Sequence, residues 1–131
     1  MSLSSDRIDW KPASDVEKRV SGLVASAEID WVDLARIKCF RSERAQTRAI
    51  ARIWGLPRIW QIALNEGPHY VIEVISETFD KLNAREQDRV LLHEIAHIPK
   101  NFSGALLPHR RKGKGNFYSK LRAMIKKYDR T

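Results

Sequence analysis

Asp88-Arg89-Val90-Leu91-Leu92-His93-Glu94-Ile95-Ala96-His97 sets two histidines four residues apart with a glutamate directly after the first. On a helix, His93 and His97 leave the same face one turn apart, close enough for both imidazoles to reach one metal ion. Glu94 is turned by about 100° onto the adjacent flank, poorly placed as a third ligand and well placed to hold a water beside the ion. That division of labour suits metal-assisted hydrolysis of a peptide bond. The ion acidifies water and polarises the carbonyl, while the carboxylate carries a proton to the leaving amine.

The flanks predict that the stretch is helical and where it ends. Asn83 is a capping residue with Glu86 three positions on, a capping-box pattern, and Asp88 adds negative charge toward the N-terminal half. Pro99 disfavours helix at Ile98, so the helix should stop about one residue after His97. Leu91, Leu92, Ile95 and Ala96 supply an apolar surface away from the histidines, which predicts burial against a core.

A catalytic zinc site has three protein ligands and one open position. The 34 residues after His97 hold no glutamate, one aspartate (Asp129) and one histidine (His109), so a downstream glutamate ligand is excluded. The tight three-histidine spacing that needs Gly at 100 and His at 103 is excluded too, because those positions are Lys100 and Ser103. His109 is therefore the third-ligand candidate by elimination, and Asp129 the reserve. Eleven residues separate His109 from His97, and they include Pro99, Gly104 and Pro108, which let the chain fold back over the helix end.

The run Tyr70-Val71-Ile72-Glu73-Val74 through Phe79-Asp80-Lys81-Leu82, then Val90 to Gly104, then Leu107-Pro108-His109, resembles the phage-type metallopeptidases, compact zincins also found in archaea. More distantly it is similar to SprT-like proteases. The resemblance covers about residues 35 to 128, is most specific over 90 to 109, and leaves out the first 30 residues. It implies an α+β, minimal zincin-like fold: a small mixed or antiparallel sheet packed on an N-terminal helix and the metal-site helix, with a C-terminal helix. It also implies His93, His97 and His109 as Zn2+ ligands and Glu94 as the catalytic acid/base.

Length and composition bound what else the chain can be. With 131 residues, 43% apolar and 31% charged, a single globular domain over 1–131 is expected, with residues 1–13 poorly ordered. The apolar runs are too short to span a bilayer, and the first residues lack the basic-then-apolar pattern of a signal peptide. One cysteine, Cys39, excludes an internal disulfide and a cysteine zinc site, and a cytoplasmic location is the expectation. Charge is uneven: residues 98–131 carry ten Lys/Arg against Asp129 alone, so the basic excess sits downstream of the metal helix.

Along the chain, Val16, Val20, Leu23, Val24 and Ala27 predict a first helix capped by Ser14. Arg36 to Phe40 reads as a strand, and Ser42 to Trp54 as helix or irregular chain. Strand formers fill Arg58 to Leu64, which is expected to pair as a hairpin with a strand at Tyr70 to Ile75; the resemblance to zincins implies that this strand offers the edge that receives substrate, with central packing in the sheet as the alternative. Asn116 should cap a last helix whose stripe of Phe117, Leu121, Met124, Ile125 and Tyr128 faces the core, with Lys120, Lys126, Lys127 and Arg130 solvated. Tyr118 and Arg110 are candidate oxyanion donors, and His69 beside a turn stays outside the site.

Two functions follow. The first is a zinc metallopeptidase in which Glu94 activates water and whose partner is a peptide or protein substrate. The second is a nucleic-acid-associated protein that uses Arg110, Arg111, Lys112 and Lys114 to neutralise phosphates. In that form it is either a protease acting on DNA-bound proteins or an inactive metal-binding module. No membrane partner is expected.

Overall fold

The computed structural model describes residues 7–109 and 116–130. Its centre is β4 (Tyr70–Ile75), whose Tyr70, Ile72 and Val74 are at most 1% exposed. Parallel to β4 runs β2 (Ile37–Glu43), and antiparallel on the other side runs β3 (Ala51–Gly55). A fourth strand, β1 (Asp9–Pro12), pairs antiparallel with β2, giving a mixed sheet of order β1-β2-β4-β3. The class is α+β, as expected. Residues 9–12 were read as poorly ordered; they are a paired strand instead, and Ala13 behind them is buried.

Period-2 alternation gives the sheet two unlike faces. Ile37, Cys39, Tyr70, Ile72 and Val74 face a helical layer. That layer holds α1 (Ser14–Ser26) with Val16, Val20 and Leu23, and α4 (Ala84–Ala96), which carries His93, with Leu91, Leu92, Ile95 and Ala96. The last helix, α5 (Phe117–Asp129), adds Phe117 and Met124. Each fully buried Leu, Ile or Val contributes about 1.5–3 kcal/mol, so α4 is fixed mainly by its underside. Ser14 is not the α1 cap: Ala13 holds that position without a side-chain bond, and Ser14 is the first helical residue. Cys39 is core filler, its thiol pushed up to about 12 by burial and then by Glu17 and Asp15.

The other face of the sheet carries a buried carboxylate. Glu73 accepts from Arg52 Nε at 2.7 Å, Trp54 Nε1 at 2.8 Å and Trp10 Nε1 at 3.1 Å, tying β1, β3 and β4 together. Burial alone would raise its pKa, yet these donors more than offset that and hold it at about 2.

Two sequence expectations fail between β2 and β4. Arg58–Leu64 is a helix, α2, and not a strand, so no hairpin joins it to Tyr70–Ile75. Pro57 precedes the first turn and Asn65 closes the last in the left-handed region (φ 54°), local signals that override the β-propensity of Ile59, Trp60 and Ile62. The strand is instead Ala51–Gly55, which takes up the end of the Ser42 to Trp54 stretch expected to be helical or irregular, and it forms an edge of the sheet. A short helix, α3 (Ser76–Phe79), drops buried Phe79 into the core before α4. Among the described residues no helix is long and apolar enough to cross a membrane.

Candidate metal centre

Helix α4 begins and ends where its sequence directs. Asn83 accepts from Glu86 N at 2.8 Å while Glu86 Oε1 accepts from Asn83 N at 3.0 Å, a complete capping box. One turn in, Asp88 is bonded by Arg19 of α1 and by Tyr128 Oη of α5 at 2.7 Å, so a single carboxylate fastens both neighbouring helices. At the far end Lys120 donates to Ile98 O at 2.6 Å with its ammonium 4.0 Å from the Trp31 ring centre. Lys120 was expected in solvent; it is half-buried here, and desolvation, then Lys100, push its pKa down to about 8.

The structure brings His93, His97 and His109 together, with ligand nitrogens all within 4.8 Å of one another. His109 Nε2 is 2.8 Å from His97 Nε2 and 3.1 Å from His93 Nε2. His97 Nδ1 donates to Leu107 O at 2.5 Å, which leaves the Nε2 lone pair free toward the other rings. Beneath them lies Phe117, buried, its ring 4.4 Å from His97 and 4.9 Å from both His93 and His109. The sequence placed Phe117 only in the core stripe of α5; its position as a shelf for all three imidazoles depends on the return of α5.

His109 reaches this place because the segment from Ile98 to Pro108 is strapped down along its length. Leu107 N donates to His97 O at 2.7 Å. Tyr70 Oη accepts from Gly104 N at 2.8 Å and donates to Ala105 O at 2.7 Å. Gln61, 3% exposed, donates through Nε2 to Leu56 O at 2.8 Å and Ser103 O at 2.9 Å. Gly104 has φ +95°, and a Cβ on Gly55 would lie 2.1 Å from Gly104 O, so the backbones meet too closely for any side chain. Tyr70 and Gln61 were not legible as site-forming residues: Tyr70 reads as a strand aromatic and Gln61 as one polar residue in an apolar run.

Electrostatics suit a cation. Burial, then His97 and His109, push His93 down to about 4, so it is neutral and a lone-pair donor at pH 7. His97 is lowered as well, by burial against the opposing pull of the Leu107 bond. Glu94 is 7% exposed and burial raises it to about 8. A buried carboxylate is costly without a positive charge beside it, and three nitrogens converging with a carboxylate alongside form a donor set that fits a divalent ion.

The site opens onto the free edge of β3. Ile75 N donates to Ile50 O and Leu56 N to His69 O. In an antiparallel ladder the bonded positions alternate, so residues 50, 52, 54 and 56 face β4 while Ala51 and Ile53 turn their N–H and C=O groups outward. A cavity of about 390 Å3 runs along Ala51, Arg52 and Ile53 to His93, Glu94, His97 and His109. A second, of about 500 Å3, shares Ala51, His93 and Glu94 and continues past Ile50 and Arg48.

Other candidates lie elsewhere. Asp129, the reserve ligand, pairs with Arg85 at 2.6 Å and Arg89 at 3.7 Å. His69 Nδ1 bonds Gly67 O at 2.9 Å. Tyr118 has its ring 6.1 Å from that of His109. Arg110, Arg111, Lys112 and Lys114 lie outside the described residues.

Compared with protein-family models, residues 8–124 match the family described as "Putative phage metallopeptidase". The match begins at residue 8 and so takes in β1 and α1, which the sequence resemblance left out. No curated protein and no solved structure matches the chain.

Proposed function

The chain belongs to the putative phage metallopeptidase family, and from that premise we propose that it is a zinc-dependent metallopeptidase of zincin type, with His93, His97 and His109 as ligands and Glu94 as the catalytic acid/base. The observation that carries this reading is the convergence of three imidazole nitrogens, one delivered by a strapped loop, beside a buried carboxylate with no competing ion pair among the described residues. Three histidines leave a coordination position open, whereas a structural zinc closes its fourth.

Bound there, zinc supplies Lewis acidity that polarises a peptide carbonyl and acidifies water. The protein supplies the rest. An extended substrate pairs with the outward N–H and C=O groups of Ala51 and Ile53, adding a strand to the free edge of β3. This edge replaces Arg58–Leu64, which is helical. Glu94, on the flank of α4 beside that edge, would take a proton from water as the water oxygen adds to the peptide carbonyl carbon, and deliver that proton to the amide nitrogen as the C–N bond breaks.

The test is metal content and cleavage of a peptide library by wild type and by Glu94→Gln. The variant is expected to retain zinc and lose cleavage, while His93→Ala and His97→Ala lose the ion. Undiminished cleavage by Glu94→Gln removes the carboxylate from the mechanism.

A second reading stands on the charge asymmetry. Ten Lys/Arg against one Asp over 98–131 support contact with nucleic acid through Arg110, Arg111, Lys112 and Lys114, bringing the peptidase to DNA-bound proteins. Affinity for single- or double-stranded DNA should fall steeply with rising salt. A salt-independent affinity contradicts it.

A further inference from the structure

The two cavities that meet at the candidate centre differ in chemistry. Both include Ala51, His93 and Glu94, so a bond cleaved at those shared residues sends its neighbours in opposite directions. The smaller is walled by Ile53, Leu106, Leu107 and Pro108. The larger is lined by Ile50, Val90, Leu121 and Ile125 and by the exposed Arg48 and Arg89. Among the described residues lining it, Glu94 is the sole acid. Arg48 has no ion-pair partner among the described residues, and Arg89 only shares Asp129, at 3.7 Å, with the closer Arg85. The larger cavity is thus an apolar slot with two under-neutralised guanidiniums.

We infer that this cavity selects the substrate: it receives a large apolar side chain from the residue directly after the cleaved bond, and Arg48 and Arg89 bind a carboxylate that follows that residue. The inference rests on the peptidase reading and gives it a substrate class. Direction comes from β3. A peptide pairing antiparallel with it, the more stable arrangement per residue, runs from the Ile53 end toward Ala51 and on over Ile50 and Arg48. Residues after the scissile bond therefore reach the larger cavity. At about 500 Å3 it has room for Leu, Met or Phe, whereas a Lys at that position meets two like charges and an apolar lining. The carboxylate comes either from an Asp or Glu side chain or from the substrate's own C-terminus, and a planar guanidinium binds both in the same way.

The experiment uses the zinc-loaded full chain and a peptide series cut-site mapped by mass spectrometry. The series varies the residue after the cleaved bond, and then places beyond it Asp, Lys, a free C-terminus or an amidated one. Leu, Met and Phe should be preferred over Ala roughly tenfold or more, and a following carboxylate over Lys by a similar factor. Arg48→Glu, a change at an exposed position, should invert the second preference, and Leu121→Trp should shift the first toward small residues. Equal response to Asp and a free C-terminus assigns the recognition to any nearby carboxylate; response to the C-terminus alone makes the protein a carboxypeptidase with the same pocket. Selection on the residue before the cut, or indifference to Arg48→Glu, overturns the inference. Methyl NMR of zinc-loaded Glu94→Gln with the same peptides separates the two levels. Shifts at Ile50, Val90, Leu121 and Ile125 without turnover by wild type keep the pocket and sink the peptidase, and unselective turnover without those shifts does the reverse.

Discussion

Tyr70→Phe removes one oxygen atom and should loosen the third ligand from a distance. The ring stays: it is 1% exposed and packs edge-on to Phe102 with centroids 5.0 Å apart, contacts that phenylalanine keeps. Lost are the bond from Gly104 N at 2.8 Å and the bond to Ala105 O at 2.7 Å. An ordinary hydrogen bond contributes about 1 kcal/mol net, and a buried donor left without a partner costs about 1–3 kcal/mol. If residues 103–107 stay docked, the metal-free protein should lose about 2–4 kcal/mol of stability. If they swing out to water instead, the stability loss shrinks and His109, four residues beyond Ala105, is released. Zinc affinity then falls by roughly 10–100-fold, the range typical of removing a group that supports a ligand. Urea unfolding of stripped protein and competition with a chromophoric chelator measure the two quantities, with His109→Ala as the lower bound on affinity. Stability within 0.5 kcal/mol of wild type together with unchanged zinc affinity would refute the claim that this hydroxyl holds the loop.

Three further outcomes follow from the same structure. Glu73 sits at about 2, below the usual carboxylate range, so it stabilises the fold above about pH 4.5 and that contribution, at most about 3 kcal/mol, fades as pH falls toward 2; wild type should exceed Glu73→Gln in melting temperature at pH 6, and a gap that does not narrow between about pH 6 and pH 2.5 contradicts this. Gly104→Ala forces an unfavourable φ and sets a methyl 2.4 Å from both Gln61 Nε2 and Leu56 O, so a loss of at least about 2 kcal/mol is expected by chemical denaturation, and a wild-type midpoint would show that the loop does not dock as described. Glu94→Gln replaces a buried acid by a neutral isostere, so the metal-stripped variant should melt no lower than stripped wild type at pH 8; a clearly lower midpoint would mean that the carboxylate has a partner holding it.

Much of the metal helix was legible because its signals are local. Asn83, Glu86 and Pro99 act within a turn of themselves, and the capping box and the stop near His97 lie where those residues put them. The C-terminal helix followed from Asn116 and its apolar spacing for the same reason. His109 emerged by counting which side chains remained, but what brings it into place did not. Tyr70 and Gln61 act on residues 34 and 42 positions away, and nothing in their neighbourhoods announces those partners. The sheet was misread where local propensity and tertiary context compete. Ile59, Trp60 and Ile62 favour strand, yet Pro57 and Asn65 punctuate a helix; Ala51–Gly55 holds only two strand formers, Ile53 and Trp54, among alanine, arginine and glycine, and β4 offers it the ladder that makes it a strand. Lys120 looked solvated on its helix because Trp31 and Ile98, its two partners, come from elsewhere in the chain.

The central claim is that three imidazoles share one ion and leave it a place for water. X-ray absorption spectroscopy at the zinc edge of the loaded full chain tests it most directly. The account predicts a first shell of three histidine nitrogens at about 2.0–2.1 Å with one further light atom, and the loss of one nitrogen in His109→Ala. A shell of two histidines in the wild type, or a spectrum that His109→Ala leaves unchanged, would contradict it.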